Sequence, residues 1–434
     1  MRKNLISRGL VVMLIIAILS ACIPSFASAE GTKLELWLLK TWADSANEQV
    51  EQRVLKFIEE TGIDVEYSFI NSGDQQAMFS ACMQSGNWPD VFYVGSMYYS
   101  TLQDADVLLN IDDVIADVEA TNGPFISDFI EPFRANGNLA MPFFSDCKVM
   151  FYRTDILEEC GFSEPPKTYD ELYTYCEAIK EKTGLYGYGT AIAPGCEDFN
   201  QDAHSWLWSF GGAEVAEDGK TVAINSPETR KMMEYIIDMY NKGYIPESAL
   251  TWDDSGNNTS YLTGQCAMIT NAASIWEAVK KEGLEDLRAA TAMCPNPIGD
   301  KGRIVCGSVI WLTAAKNTEH PEEAKALLKY LVDDEWYSNW IETLAPVEGP
   351  VFQKYGESEY WSQYPGSISF EAINNYQFLG YPGKVSPLGN LIYNANLIAN
   401  AFHRVLVDGY TVDDAIVEWE SEIQKIVDEY YAGR

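Results

Sequence analysis

Short apolar runs alternate with amphipathic stretches over the first part of the chain, and this alternation limits the fold more than any other feature. Residues 33–39, 63–70 and 89–94 are apolar or alternating runs of strand length, and residues 48–60 and 75–84 between them read as helices. The order strand, helix, strand, helix, strand predicts an α/β layer around a parallel sheet.

Helices dominate the later part of the sequence. Thr168 is placed as the N-cap of a helix over residues 169–181, with Glu171 completing a capping box. Further helices are predicted over residues 226–241, 320–332 and 411–431 from their capping residues and apolar spacing. No internal repeat or long linker separates these elements, so we expect domains that interlock through more than one crossover.

Size and charge exclude several classes of function. The chain has 434 residues, of which 47% are hydrophobic, so it can bury the cores of two or three domains. Its 64 acidic residues outnumber 30 basic ones, for a net charge of −34, and such a surface repels nucleic acid. With so many acids, a pair of carboxylates chosen by eye is weak evidence for a glycosidase.

The N-terminus has the pattern of an export signal. Basic residues within the first eight positions precede the apolar run Leu10–Leu19, which is too short for a membrane-spanning helix. Leu19–Cys22 resembles a bacterial lipobox, so we expect a signal peptide over residues 1–21, a lipid anchor on Cys22 and a linker over 22–30. Cleavage after Ala29 is the alternative. Either reading predicts an exported protein, and the lipobox places it on the outer face of the cell membrane.

The remaining cysteines and the histidines give no sign of a metal site or a cofactor. No C-x-x-C pair is present and no histidine stands at ligand spacing from a cysteine. Buried free thiols are favoured, although a disulfide between Cys294 and Cys306 across a turn stays open. Hydrolase motifs and a phosphate-binding loop are absent from the sequence.

An ordered series of segments along nearly the whole chain resembles the extracellular solute-binding proteins of ABC importers, of the sugar-binding family 1 type. The opening strand with Trp37 is the first of them. The others are Gly86–Phe92, Val107–Asp112, Gly137–Pro142, Val149–Asp155, Cys160–Gly161, Pro165–Leu172, Gly264–Ile269, 295–299 and His320–Leu331.

The resemblance implies a two-lobe α/β fold of the type II periplasmic-binding-protein kind, with interlocked lobes that close about a hinge. Lobe one would hold residues 31–147 and 295–346, and lobe two residues 148–294 and 347–434. The sequence departs from common members at 146–148, where Asp-Cys-Lys replaces small polar residues.

The function implied is capture of a carbohydrate, in particular an oligosaccharide, and its delivery to the permease subunits of an ABC importer. The protein would act as a monomeric receptor and not as an enzyme. A receptor for a peptide, polyamine or other cationic solute is an alternative in which acids such as Asp146, Asp253 and Asp254 pair with the ligand. A secreted glycoside hydrolase is a more distant alternative.

Several candidate ligand-binding residues follow from their place in the predicted elements, since sugar sites combine aromatic platforms with planar polar groups. Trp42 follows the first strand at the carboxyl end of the sheet, where it either lines the cleft or packs under the loop. Ser96 follows the third strand and could present backbone donors. Trp252 and Asp253 fall in a polar loop that favours the cleft or its rim over the core.

Other candidates depend on the resemblance or on an undecided local structure. Trp276 resembles a stacking residue of the family, and Asn271 precedes it in what reads as the same loop. Asp146 resembles a cleft-facing polar position, its alternative being a hinge hydrogen bond with Lys148. Trp206 could face ligand if its segment were extended, and could be core if it were helical. Tyr393 resembles a late aromatic platform.

Overall fold

A computed structural model describes residues 31–41, 43–133 and 137–432. The predicted N-terminal signal and the lipidation site Cys22 therefore lie outside the described residues. The strands are β1 Lys33–Leu39, β2 Asp64–Ile70, β3 Val91–Gly95, β4 Met141–Asp146, β5 Lys148–Arg153, β6 Tyr186–Gly189, β7 Cys266–Ala272, β8 Thr291–Cys294, β9 Val305–Cys306, β10 Val309–Ala314, β11 Glu348–Gly349 and β12 Tyr376–Gln377.

The helices fill the layers on either side of these strands. They are α1 Asp44–Thr61, α2 Gln75–Ser85, α3 Ser96–Asp104, α4 Asp112–Asn122, α5 Ser127–Ile130, α6 Thr154–Cys160, α7 Tyr169–Thr183, α8 Glu197–Phe210, α9 Pro227–Asn241, α10 Gly256–Leu262, α11 Ser274–Ala278, α12 Glu285–Ala290, α13 Pro321–Tyr330, α14 Asp334–Leu344, α15 Gly366–Ile373, α16 Pro387–Asn394, α17 Leu397–Leu406 and α18 Val412–Ala432. None of the helices in the described ranges has the length and apolar content needed to cross a lipid bilayer.

The larger sheet has the order β11-β4-β10-β3-β1-β2 and forms the first lobe. β1 runs parallel to β2 and to β3, which gives the predicted parallel unit of the first hundred residues. β10 runs antiparallel to β3 and β4, and β11 runs antiparallel to β4. The prediction of a parallel sheet is thus correct only for the opening unit, because strands from distant parts of the chain extend it in the opposite direction.

A four-stranded sheet of order β6-β7-β5-β8 forms the second lobe. β6 pairs parallel with β7, whereas β5 pairs antiparallel with β7 and β8. The helices α7, α8, α9, α16, α17 and α18 surround a second buried core that includes Phe199, Trp206, Ile236 and Trp419. This arrangement confirms the predicted two-lobe α/β fold.

Three segments connect the sheets and form the hinge. Only Cys147 separates the end of β4 from the start of β5. The return from β8 to β10 passes through β9, and the passage from β11 to α16 passes through β12, which pairs parallel with β9. Gly307 is required beside this pair, since a Cβ there would lie 1.9 Å from the ring of Tyr376.

The predicted helix caps are present in the structure. Thr168 Oγ1 accepts a hydrogen bond of 3.1 Å from Glu171 N, and a Glu171 carboxylate oxygen accepts one of 2.6 Å from Lys167 N. Helix α1 begins at Asp44, four residues before the predicted start, because its polar first turn lacks an apolar periodicity. The eight described cysteines are free thiols, and seven of them are buried.

Candidate ligand-binding cleft

Two adjoining cavities lie at the carboxyl end of the parallel unit. The first, of about 320 Å³, follows the ends of β1 and β2 and is lined by Lys40, Thr41, Asp44, Asn71, Ser72 and Glu348 together with Leu39. The second, of about 410 Å³, shares Asp44 and Glu348 with the first. Its other wall includes Glu277 and Lys280, which follow β7 of the second lobe. The second cavity therefore has walls from both lobes.

A pair of carboxylates stands where the first hinge segment leaves the larger sheet. Asp146 on β4 is directly opposite Glu348 on β11 in the antiparallel register. Directly opposed residues project from the same face of a sheet, so the two side chains are neighbours. Burial raises the pKa of Asp146 to about 6, and burial together with the Asp146 charge raises the pKa of Glu348 well above its usual value.

Lys148 is fully buried immediately after this pair, on the second lobe's side of the hinge. Its Nζ lies 3.0 Å from Asp202 Oδ1 and 4.0 Å from Asp198 Oδ1, and it also donates to Gln201 Oε1 at 3.1 Å. Burial alone would lower the pKa of Lys148, but the two aspartates raise it above its usual range. The predicted alternative for Asp146, a hydrogen bond to Lys148, is not what the described contacts show, since Asp146 Oδ1 accepts from Ser308 N at 3.1 Å.

Asn271 belongs to a polar network on the second lobe. It lies on β7 rather than in a loop, and its side-chain nitrogen donates to Asn258 Oδ1 and, at 3.5 Å, to Asp198 Oδ2. Asn257 donates to the same Asp198 oxygen at 3.1 Å. The network links β7, α8 and α10 through Asp198, whose own carboxylate is within 4.0 Å of Lys148.

Trp276 is on the short helix α11, in the turn that supplies Glu277 and Lys280 to the second cavity. Its side chain is half-buried, and its ring meets that of Tyr364 edge to face with centroids 6.0 Å apart. Tyr364 is 52% exposed. Neither ring is among the residues that line the second cavity, although Trp276 directly precedes Glu277, which does.

Three candidates are packed inside the lobes. Ser96 at the start of α3 is 7% exposed, and its hydroxyl bonds both backbone groups of Val309 at 3.0 Å. Trp206 lies on helix α8 and is 3% exposed, which corresponds to the helical, core alternative for this residue. Tyr393 is 2% exposed, and its hydroxyl donates to Glu197 Oε1 at 2.6 Å.

No contact in the described residues places the remaining candidates beside the two cavities. Trp252 is half-buried, and its indole nitrogen donates to Ser248 Oγ at 3.1 Å. Asp253 is exposed and closes a local turn by accepting from Ser255 N and Oγ. Trp42 lies outside the described residues, although Thr41 before it lines the first cavity.

Sequence reasoning missed the residues that define the cavities themselves, above all Glu348, Asp44, Glu277 and Lys280. Of these, Glu348 could have been noticed in the sequence, because it is the one charged residue in the apolar run from Leu344 to Phe352. No group of three or more histidine, cysteine or acidic residues suited to a metal ion occurs in the part of the chain that the structure describes.

The comparisons with known proteins agree with the two-lobe fold. A family model described as "Bacterial extracellular solute-binding protein" matches residues 40–337, well over half of the chain. The chain belongs to the bacterial extracellular solute-binding protein family. This membership confirms the resemblance that the sequence segments indicated, and it places the chain in a family of binding proteins.

Individual relatives are distant. A probable ABC transporter-binding protein of Deinococcus radiodurans is 27% identical over 44% of this chain and 47% of its own length, so the chain spans about half of this curated relative. The crystal structure of a Thermotoga lettingae solute-binding protein with bound α-D-tagatose has 20% identity and a TM-score of 0.74 over 92% of this chain and 100% of that one. Maltose-bound MalE3 of T. maritima has 21% identity and a TM-score of 0.73 over 91% and 100%.

Proposed function

We propose that this protein is the extracytoplasmic receptor of an ABC importer, which captures a carbohydrate, in particular an oligosaccharide, in the cleft between its lobes and delivers it to the permease. The observation that carries the proposal is the cavity whose walls come from both lobes, with Asp44 and Glu348 on one side and Glu277 and Lys280 on the other. A ligand that contacts both walls favours the closed form, which is the form that a permease can distinguish.

The chemistry of the walls supports a sugar as ligand. Asp44, Asn71 and Glu348 line the cavities with planar groups that can each make two hydrogen bonds, and Trp276, next to Glu277 in the chain, offers an apolar ring together with Tyr364. Two solved structures with this fold hold tagatose and maltose. A phosphorylated or carboxylated solute is disfavoured, because the carboxylates that line the cavities would repel it.

Anchoring and oligomeric state belong to the same proposal. A lipid on Cys22 would hold a monomeric receptor on the outer face of the membrane, within reach of its permease. A Cys22→Ser variant should then be released from the membrane fraction while the unchanged protein stays in it. A wild-type protein recovered free of lipid, with Glu30 as its first residue, would instead support cleavage after Ala29.

A cationic solute without a sugar framework is a second candidate, favoured by the excess of acidic groups at the hinge. Asp198 and Asp202 lie within 4.0 Å of the buried Lys148, and Asp146 faces Glu348 across the neighbouring strands. In this second case the binding energy would come from charge pairs rather than from ring stacking.

A thermal-shift screen of the purified protein tests the two candidates together. Mono- and oligosaccharides form one set, and amino acids, oligopeptides and polyamines form the other. A ligand present at 100 times its dissociation constant should stabilise the folded protein by about 2.7 kcal/mol and raise the melting temperature by some degrees. A shift with saccharides supports the carbohydrate receptor, whereas a shift with polyamines or peptides alone contradicts it and favours the second candidate.

A further inference from the structure

We propose that Glu348, together with Asp146, selects a sugar that carries a protonated amine, so that the ligand of this receptor is an amino sugar or an oligosaccharide that contains one. The inference rests on the proposed function of a carbohydrate receptor and specifies the chemical class of the sugar.

The first step concerns the direction of the Glu348 side chain. Glu348 and Gly349 are consecutive residues of β11 and therefore face opposite sides of the sheet. A Cβ added at Gly349 would lie 2.9 Å from Cys147 Sγ and 3.4 Å from a methyl group of Ile373. Glu348 thus projects away from α15, on the side where it lines both cavities.

The second step is that Glu348 lacks a partner. The residue is 8% exposed, yet its carboxylate makes no hydrogen bond or ion pair with another residue in the described ranges. Its opposite neighbour Asp146 has a carboxylate oxygen bonded to Ser308 N and adds only a like charge. A buried carboxylate without a partner is costly, so this group is suited to a ligand that supplies one.

The third step is the balance of charge around the cavities. The cavities and the adjoining hinge strands contain four carboxylates but two lysines, Lys40 and Lys280. The carboxylates are those of Asp44, Asp146, Glu277 and Glu348. Lys280 is already paired with Glu277 at 2.5 Å. Lys148, on the other side of the hinge, is paired with Asp202. The charge of Lys148 also lowers the pKa of Asp146, but no lysine or arginine in the described residues forms an ion pair with Glu348.

The fourth step identifies the ligand group. A sugar hydroxyl can donate one hydrogen bond but leaves the Glu348 carboxylate without a cation. A protonated amine in the place of that hydroxyl is compact, donates up to three hydrogen bonds and supplies the missing charge. An N-acetylated amine keeps a donor but loses the charge, so it should behave like the hydroxyl.

Matched sugar pairs test the proposal in calorimetric titrations at pH 7. Glucosamine is compared with glucose, galactosamine with galactose, and the trisaccharide of β-1,4-linked glucosamine with cellotriose and with its own N-acetylated form. The variant Glu348→Gln keeps the shape of the side chain and removes its charge. Glu234→Gln, at an exposed position on α9, is the control for the same change in net charge.

For the amine member of the pair that binds, we expect an affinity about tenfold or more above that of its hydroxyl counterpart, as for a charge-assisted bond in place of a neutral one. Glu348→Gln should remove this preference, and Glu234→Gln should keep it. The melting temperature of the unliganded variants shows that they are folded.

Two results would overturn the inference in distinguishable ways. If neutral sugars bind as tightly as their amine counterparts and Glu348→Gln changes neither affinity, the amine preference is wrong but the carbohydrate receptor stands. If no saccharide of either kind binds, the proposed function fails and this inference fails with it.

Discussion

At the scale of single residues, Lys148 is the side chain whose environment is most demanding. It is fully buried, and its charge is balanced by Asp202 at 3.0 Å and by Asp198 at 4.0 Å. Ion pairs in such places contribute little net stability when intact, but the loss of one partner leaves the other charge buried alone. Lys148 therefore holds β5 to α8 at the point where the chain enters the second lobe.

Replacing Lys148 with Met should lower the free energy of unfolding by roughly 3–5 kcal/mol, because Asp202 is then left without its cation. The double variant Lys148→Met, Asp202→Asn should recover part of this loss. Urea denaturation of the single and double variants measures both quantities. If the double variant is as unstable as the sum of the two single changes, the two residues do not act as a pair.

Trp276 is the predicted ligand-binding residue that directly precedes a residue of the second cavity, Glu277. If Trp276 stacks on the ligand as proposed, Trp276→Ala should weaken binding of the saccharide found in the screen about tenfold or more. Trp336→Ala is the matched control. That ring is also half-buried, but it stacks on Trp340 with centroids 5.3 Å apart and lines neither cavity.

Calorimetric titration of both tryptophan variants checks this prediction. An equal loss of affinity in the two variants would point to a general effect on folding rather than to stacking on the ligand. Unchanged affinity in Trp276→Ala would remove this residue from the binding site.

At the scale of elements, the sequence was sufficient to predict those helices and strands whose caps and bounds depend on residues close together in the chain. The predicted cap Thr168 and Ser226, at the start of the predicted helix over 226–241, accept hydrogen bonds from the third residue after them, both at 3.1 Å. The strand and helix bounds of the first hundred residues agree within a few positions, apart from the early start of α1. Such features depend on neighbours along the chain, which a sequence displays directly.

Thr168→Ala should lower the free energy of unfolding by about 1 kcal/mol, since the amide of Glu171 loses its acceptor at the start of α7. Thr174→Ala is the control on the same helix, because this exposed hydroxyl only bonds the carbonyl of Asp170 within the helix. Chemical denaturation of the two variants gives the comparison. Equal stabilities would show that the cap contributes nothing measurable.

At the scale of the whole molecule, the lobes also touch away from the cavities. Asn390 on α16 is 3% exposed, and its side-chain nitrogen donates to Met97 O and, at 2.9 Å, to Ser100 Oγ on α3. Helix α16 packs with α18 of the second lobe, whereas α3 belongs to the first. This contact favours the arrangement in which the lobes are close together.

Asn390→Ala should shift the unliganded protein toward an open arrangement and weaken ligand binding about fivefold, as expected for the loss of about 1 kcal/mol of hydrogen bonding. Small-angle X-ray scattering would report a larger radius of gyration without ligand and an unchanged one with saturating ligand. Asn394→Ala, at an exposed position on the same helix, should change neither quantity.

The dependence of stability on pH is also a property of the whole molecule. Burial raises the pKa of Asp146 and of Asp202 from 3.8 to about 6, so the folded protein holds these protons more tightly than the unfolded chain. The free energy of unfolding should therefore fall as pH rises from about 4 to about 6. Growing self-repulsion of a chain with a net charge of −34 at pH 7 acts in the same direction.

Thermal denaturation between pH 4 and pH 7 measures this slope. Glu348→Gln should reduce the slope, because burial and Asp146 raise the pKa of Glu348 in the same sense. A stability that rises over this range would contradict the prediction and would mean that acids with lowered pKa values, such as Asp155, dominate.

The sequence by itself determined the helices and strands, the two-lobe α/β fold through the ordered family segments, and the acidic surface. Each of these depends on patterns that persist along the chain.

Only the tertiary structure decided which residues line the cleft. Asp146 and Glu348 come together because β4 and β11 pair across the hinge, and Asp44 joins Glu277 because the lobes face each other. Trp206 and Tyr393 lie in the core of the second lobe because the helices that carry them pack together there. Contacts between distant segments leave no local period in the sequence, so the chemistry of the cleft becomes visible only once the chain is folded.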